Sequence, residues 1–302
     1  MLDLCVQLSR LREKAQARQA TSPVKVPMSL AERIERLRVP NGAVGEPSDE
    51  ALAGQLGGTV VAQRLVERSQ ALPLPWRHGA VSIAGGAPLA SAARSVGRLA
   101  EAVAPESLLF LDTETTGLAG GAGTAAFMCG LAWIECDALR LAQWTLAGFV
   151  GEGALLERVH ARIACARVIV TFNGKSFDLP LLKTRGRLVG REFAVDGIPH
   201  VDLLHVSRRL LQSGWPDCRL RTAEAAALRL ERVNDLTGAE APAAWRRWLE
   251  RGDAGQLARV LEHNRADLLS LVALLALLEQ PTRREAPLLH AAADGVAAQG
   301  CA

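Results

Sequence analysis

The sequence predicts an α/β protein: a five-stranded mixed sheet flanked by helices, preceded by an N-terminal extension that is mostly irregular or helical. Three observations carry this. Short apolar or β-branched runs end at polar or turn residues, as buried strands do. Two longer strand-like segments flank a short polar connection. Segments with apolar residues every three or four positions alternate with or follow them.

The elements fall within residues 105–280. Residues 108–111 (LLFL) form a continuous apolar run, expected of a central strand that stops at the polar Asp112. Residues 124–134 and 139–149 are two longer strands joined by Glu135-Cys136-Asp137-Ala138 as a hairpin. Residues 152–166 place Leu155, Leu156, Val159 and Ile163 at helical spacing. The β-branched residues 168–170 (VIV) make a fourth, parallel strand, and residues 198–201 a fifth. Helices are expected near 176–188, 202–212, 219–230, 242–251 and 255–278. Three antiparallel strands, a helix, a parallel strand and further helices is the order of a ribonuclease H-like fold.

The flanks carry less. Residues 1–104 are an extension whose role the sequence leaves open: an amphipathic stretch at 30–39, Gly/Pro punctuation, and a possible strand at 59–66. Residues 281–302 are a short Ala-rich tail expected to be poorly ordered.

Composition excludes several classes. With 302 residues, 49% hydrophobic and 22% charged, the chain has enough apolar material for a sizeable core. A net charge of +3 is too small for a chain-wide nucleic-acid coat, so an anionic partner has to be met by a local patch. Tyr is absent, which excludes any tyrosine base or nucleophile. The six cysteines form no C-x-x-C pair and no zinc-type cluster, which points to reduced thiols and a cytoplasmic setting. The N-terminus lacks the apolar stretch of a signal peptide. The longest apolar run, 268–278, is 11 residues. A bilayer span needs about 20, so no membrane partner is expected.

Three acidic motifs carry the chemistry. In Asp112-Thr113-Glu114 the two carboxylates, at i and i+2 of an extended segment, face one way. Alone, such a pair is most often a solvated strand end. Held in low dielectric, it calls for a proton or a hard divalent cation. Asn173-Gly174-Lys175-Ser176-Phe177-Asp178 follows the fourth strand, where open α/β sheets place their ligands; a helix N-cap is the alternative use. In Glu262-His263-Asn264-Arg265-Ala266-Asp267, the spacing of four puts His263 and Asp267 on one helical face, and Glu262 turns off it.

These motifs, in this order, resemble the DEDD-type (DnaQ-like) 3′→5′ exonucleases. FLDTETTGLAGG, TFNGKSFDLPLL, PHVDLLH and HNRADLLSL bring residues 105–280 nearest to the YprB-like ribonuclease H-like subgroup. The resemblance implies two Mg²⁺ or Mn²⁺ ions held by Asp112, Glu114, Asp178 and Asp267, with Asp112 shared between them. It implies hydrolysis of phosphodiester bonds at single-stranded or frayed 3′ ends, releasing nucleoside 5′-monophosphates. The family's base is a Tyr four residues before the last Asp or a His five before it. Here His263 holds the tyrosine position and Glu262 the other. Imidazole titrates near neutrality, which favours His263, and the choice between the two stays open.

The nucleic-acid contacts expected are Thr115, Thr116 and Leu118 beside a Gly-rich loop, Asn173, and the cations Lys175 and Arg265. Residues 171–232 carry 11 cations against seven acids, a surplus suited to tracking phosphates if these side chains are not simply solvated helix faces. Asp202 reads as a helix cap or supporting residue. Trp215, Trp245 and Trp248 read as core residues before stacking platforms. Two other readings share these residues: a structure-specific endonuclease of the same fold, and a nucleic-acid-binding module without catalysis. The sequence names no protein partner.

Overall fold

The sheet has seven strands, two more than expected, and both extra strands come from the segment expected to be irregular or helical. The computed structural model describes residues 47–117, 123–210, 215–233, 235–236 and 238–279. The amphipathic stretch at 30–39, Leu118 and the 281–302 tail lie outside the described residues.

The first helix, α1 (Asp49–Leu56), starts at Ser48, whose hydroxyl accepts the Ala51 amide at 3.1 Å, and ends at Gly57 in the left-handed region, φ 64°. Then come β1 (Thr59–Ala62) and β2 (Leu65–Pro73), and a separate two-stranded hairpin, β3 (Trp76–His78) with β4 (Val81–Ile83). Helix α2 (Gly86–Gly97) leads to β5 (Leu108–Thr115), β6 (Ala126–Glu135) and β7 (Ala138–Leu146). Helix α3 (Glu152–Ala164), β8 (Val168–Thr171), α4 (Asp178–Leu188), β9 (His200–Asp202) and α5 (Leu203–Leu210) follow. The rest is helical: α6 (Leu220–Ala223), which runs into a π-turn over Glu224–Leu228, then α7 (Ala241–Arg251) and the 25-residue α8 (Gly255–Glu279).

The strand order is β1-β2-β7-β6-β5-β8-β9. The β5–β8 and β8–β9 pairs are parallel and the others antiparallel. Nine β2 residues pair with β7, from Leu65 opposite Leu146 to Pro73 opposite Ala138, so the sheet crosses the 104/105 boundary drawn from sequence. The strand was hard to see because charged and polar Glu67, Arg68, Ser69 and Gln70 interrupt its apolar alternation. The β6–β7 hairpin closes through Cys136 and Asp137, both at positive φ (47° and 56°), the geometry of a tight two-residue turn.

Strand β5 does not stop at Asp112; it runs on to Thr115. Leu109 and Leu111 enter one core cluster, with α1, α3, α4 and α7. Leu108 and Phe110 enter the other, with α2, α5 and the β3–β4 hairpin. Helix α8 serves both: Leu257, Val260 and Leu261 belong to the first, and residues from Leu268 to Leu277 to the second. The turn between, 262–267, carries the third acidic motif. Among the described residues, no helix is long and apolar enough to cross a membrane.

Candidate metal centre

Alternation along β5 sends Asp112 and Glu114 to the face of Leu108 and Phe110, toward α8. The β5–β6 register is regular through Glu114 and shifts only between Glu114 and Thr115. Gly130 lies opposite Asp112, and that glycine is required: a Cβ there would stand 2.1 Å from the Asn264 side-chain oxygen. The close approach lets Asn264, fully buried on α8, donate to Asp112 Oδ2 at 2.7 Å and accept from Gln143 Nε2 at 2.9 Å. Gln143 also donates to the Leu261 carbonyl at 2.7 Å. The acidic strand and the acidic helix are thus tied together by amides that carry no charge.

Asp178 is the first residue of α4 and is buried, with Thr113 donating its hydroxyl to Asp178 Oδ1. Asp202 holds the loop before it: Oδ1 accepts the amides of Asn173 (2.7 Å) and Leu204 (3.1 Å), and Oδ2 that of Lys175 (3.1 Å). Asp267 comes from α8, one turn beyond His263.

The charges of these four carboxylates meet. Burial, then the charges of Asp267, Asp178 and Glu114, hold the Asp112 pKa well above the usual carboxylate range, against the Asn264 hydrogen bond. Burial, then Asp267 and Asp178, do the same for Glu114. Burial raises Asp178 to about 6, opposed by the Thr113 hydrogen bond. Asp112, Glu114 and Asp178 resist ionisation for these reasons, and a hard cation among their oxygens relieves it. The donor set, all carboxylate oxygen, suits Mg²⁺ or Mn²⁺ rather than a soft metal. Among the described residues, however, no three His, Cys, Asp or Glu side chains are already closed into a set that could hold a metal ion. Three of the four carboxylates are turned to protein partners: Asp112 to Asn264, Asp178 to Thr113, Asp267 to Arg232.

His263 and Glu262 part company on α8. Nδ1 of His263 is 2.8 Å from Asp235 Oδ1 and its Nε2 is 3.6 Å from Asp267 Oδ2. Glu262 is exposed and pairs with Arg68 of β2; the helix continues unbroken through it. His263, Asp235, Arg259 and Glu262 line an open cleft of about 400 Å³ beside the carboxylates.

The other expected contacts separate. Lys175 is exposed on the loop after β8, and Asn173, at φ 69°, shapes that loop. Thr115 Oγ1 donates to the Gly117 carbonyl at 2.9 Å, and Thr116 Oγ1 accepts the Ala125 amide at 3.0 Å, so both hydroxyls close the base of the Gly-rich loop. Arg265 turns to β2, donating to Gln70 Oε1 at 2.7 Å, on the opposite side of α8 from His263 and Asp267. Several cations counted in the 171–232 surplus are paired internally: Lys183 with Asp196, Arg185 with Glu152, Arg191 with Glu157 and Arg232 with Glu224. Trp245 and Trp248 are buried and donate to the carbonyls of Leu146 (2.7 Å) and Ala147 (3.1 Å).

Sequence reasoning missed Asn264, Gln143, Asp235 and Arg232. Asn264 had a signal, an amide in the helix that holds His263 and Asp267. Gln143 lies 121 residues from Asn264, Asp235 28 from His263 and Arg232 35 from Asp267, and each looks in sequence like an ordinary surface polar residue.

The sheet order and the carboxylates gathered from β5, α4 and α8 define an RNase H-like α/β domain. The chain belongs to the RNase H superfamily, whose profile matches residues 109–279. It is 37% identical over 169 residues to the uncharacterized protein YprB of Bacillus subtilis (strain 168), a match covering 56% of this chain and 41% of that protein. The chain therefore spans less than half the length of that relative. Among solved structures it overlays on the family B DNA polymerase of the hyperthermophilic archaeon Pyrobaculum calidifontis with a TM-score of 0.45 and 14% identity, covering 74% of this chain and 30% of that one.

Proposed function

We propose that this domain is a metal-dependent nuclease of the DEDD type, a 3′→5′ exonuclease acting on single-stranded or frayed ends and releasing nucleoside 5′-monophosphates. The observation that carries the reading is the convergence of Asp112, Glu114, Asp178 and Asp267, each raising or feeling the charge of the others from three separate elements. Arg232 offsets only part of this charge, through Asp267, and the all-oxygen donor set that remains favours a hard divalent cation.

Asp112, Glu114, Asp178 and Asp267 would hold two Mg²⁺ or Mn²⁺ ions. Bound there, such ions would supply activation of an attacking water and charge stabilisation at the leaving 3′ oxygen. Asn264 steadies Asp112 and Thr113 steadies Asp178. Asp235 accepts the Nδ1 proton of His263, which leaves Nε2 as the proton acceptor on the side of Asp267. Lys175, exposed at the end of β8, is assigned to the substrate phosphate, with Thr115, Thr116, Leu118 and Asn173 lining the approach of the terminal nucleotide. Arg265, engaged by Gln70, is a weaker phosphate contact than its place in the motif suggests.

The test is incubation of the full chain with end-labelled DNA and RNA, single- and double-stranded, with Mn²⁺ or EDTA. Stepwise loss of 3′-terminal mononucleotides that needs Mn²⁺ and disappears in Asp112→Ala is expected, with nucleic-acid binding largely retained. Internal fragments would show an endonuclease, binding without cleavage a non-catalytic module, and full cleavage in excess EDTA would end the reading.

A further inference from the structure

The acidic centre contains a cation of its own. Arg232, between the π-turn and α7, reaches into it with a side chain only 9% exposed. Its Nη2 donates to both Asp267 Oδ1 and Glu224 Oε1. Its Nη1 reaches Asp235 Oδ2 at 3.2 Å. The remaining oxygen of Asp235 is the one bonded to His263, and the remaining oxygen of Asp267 is the one facing His263 Nε2. One planar guanidinium is therefore bonded to both carboxylates that flank the imidazole, and takes one oxygen from each.

Two roles compete for such a group. Arg232 could stand in the place of a divalent cation and leave when one arrives, or it could stay and orient Asp267. Glu224 decides between them. Its side chain has no exposure at all and Arg232 is its ion-pair partner. Withdrawal of the guanidinium would strand a buried carboxylate, which is strongly unfavourable. Arg232 is thus anchored from behind. A fork of fixed geometry, anchored on one side, sets the direction of whatever it binds on the other.

We propose that Arg232 is a positioning residue: braced by Glu224, it holds Asp267 by Oδ1 so that Oδ2 is presented to the cation, and holds Asp235 so that His263 is aligned with it. The inference rests on the nuclease reading in taking Asp267 as a cation ligand. Supporting partners of this kind commonly govern metal affinity as well as rate.

The experiment is Mn²⁺ binding to the full chain, followed by electron paramagnetic resonance of the free ion, in the wild type, Asp112→Asn and the double variant Arg232→Met/Glu224→Met. The double variant removes Arg232 with its fully buried partner Glu224, so that no fully buried carboxylate is stranded behind it. Expected is a loss of Mn²⁺ affinity of about 10–100-fold in the double variant. The His263 imidazole ¹⁵N shifts, at fixed pH, should also move from a single Nδ1–H tautomer toward a mixture. Should the double variant unfold, Glu224→Gln, which keeps the acceptor but removes the bracing charge, is expected to lose affinity in the same direction by less. Wild-type affinity in the folded variants, or tighter binding as for a removed competitor, overturns the positioning role while a weakened Asp112→Asn leaves the cation site standing. A wild type that binds no Mn²⁺ removes the cation site and this inference with it.

Discussion

Asp235 Oδ1 accepts from His263 Nδ1 at 2.8 Å, across a separation of 28 residues. A carboxylate can only accept, so Nδ1 carries a proton in this pairing, and in the neutral ring the lone pair falls on Nε2, on the side of Asp267. On the proposed nuclease reading, this pairing, more than the place of His263 in its motif, would suit the imidazole to take a proton from water.

Asp235→Ala is therefore expected to lower kcat roughly 10–10²-fold with little change in KM, part of the roughly 10²–10⁴ that a general base contributes. Asp235→Asn should be worse than the alanine variant, because its amide can donate to Nδ1 and favour the wrong tautomer. Steady-state kinetics on the preferred substrate, with both variants side by side, checks the order.

His263→Ala should cost roughly 10²–10⁴ in rate, and Glu262→Gln should turn over nearly normally. The physical reason is the direction of each side chain: Glu262 is exposed and paired with Arg68, on a helix with no unwound turn to bring it round. A crippled Glu262→Gln beside an active His263→Ala would reverse the assignment.

The carboxylate cluster predicts an unusual pH dependence of stability in EDTA. Burial raises the Asp178 carboxyl to about 6, above the ordinary carboxylate range. The folded state then binds the proton more tightly than the unfolded state, so stability falls as pH rises from about 4 to about 6, opposite to a salt-bridged carboxylate. Thermal unfolding should show Asp178→Asn more stable than the wild type at pH 7 in EDTA and no different at pH 4. Mg²⁺ should raise the wild-type Tm at pH 7, through mass action on the folded state, and raise that of the variant less.

Gly130→Ala tests the packing that brings strand and helix together. The added methyl would meet the Asn264 side-chain oxygen at 2.1 Å. Overpacking of this kind costs about 1–3 kcal/mol. Because the displaced group is the one that holds Asp112, the surviving folded protein should also bind Mn²⁺ more weakly. An isothermal denaturation curve and a Mn²⁺ titration measure the two effects independently.

The central strands, the hairpin and the long C-terminal helix were legible because their residues state their own environment: LLFL, VIV and the run 268–278 can only be buried, and Cys136-Asp137 accepts a tight turn. The paired acids of β5 were legible for the same local reason, since alternation alone aligns Asp112 with Glu114. Strand β2 was not, because its polar residues become sheet residues only by pairing with β7. Asp235, Glu224 and Arg232 were not, because a single charged residue looks the same in sequence whether it faces water or a buried partner. By itself, the sequence determined the class of fold, the acidic motifs and their order, and the absence of any tyrosine base. Only the tertiary structure decided that His263 is oriented by Asp235, that Asp267 is gripped by Arg232, and that Arg265 turns away. Local periodicity is fixed by neighbours in the chain, whereas the partner of a charge is fixed by elements that meet only after folding.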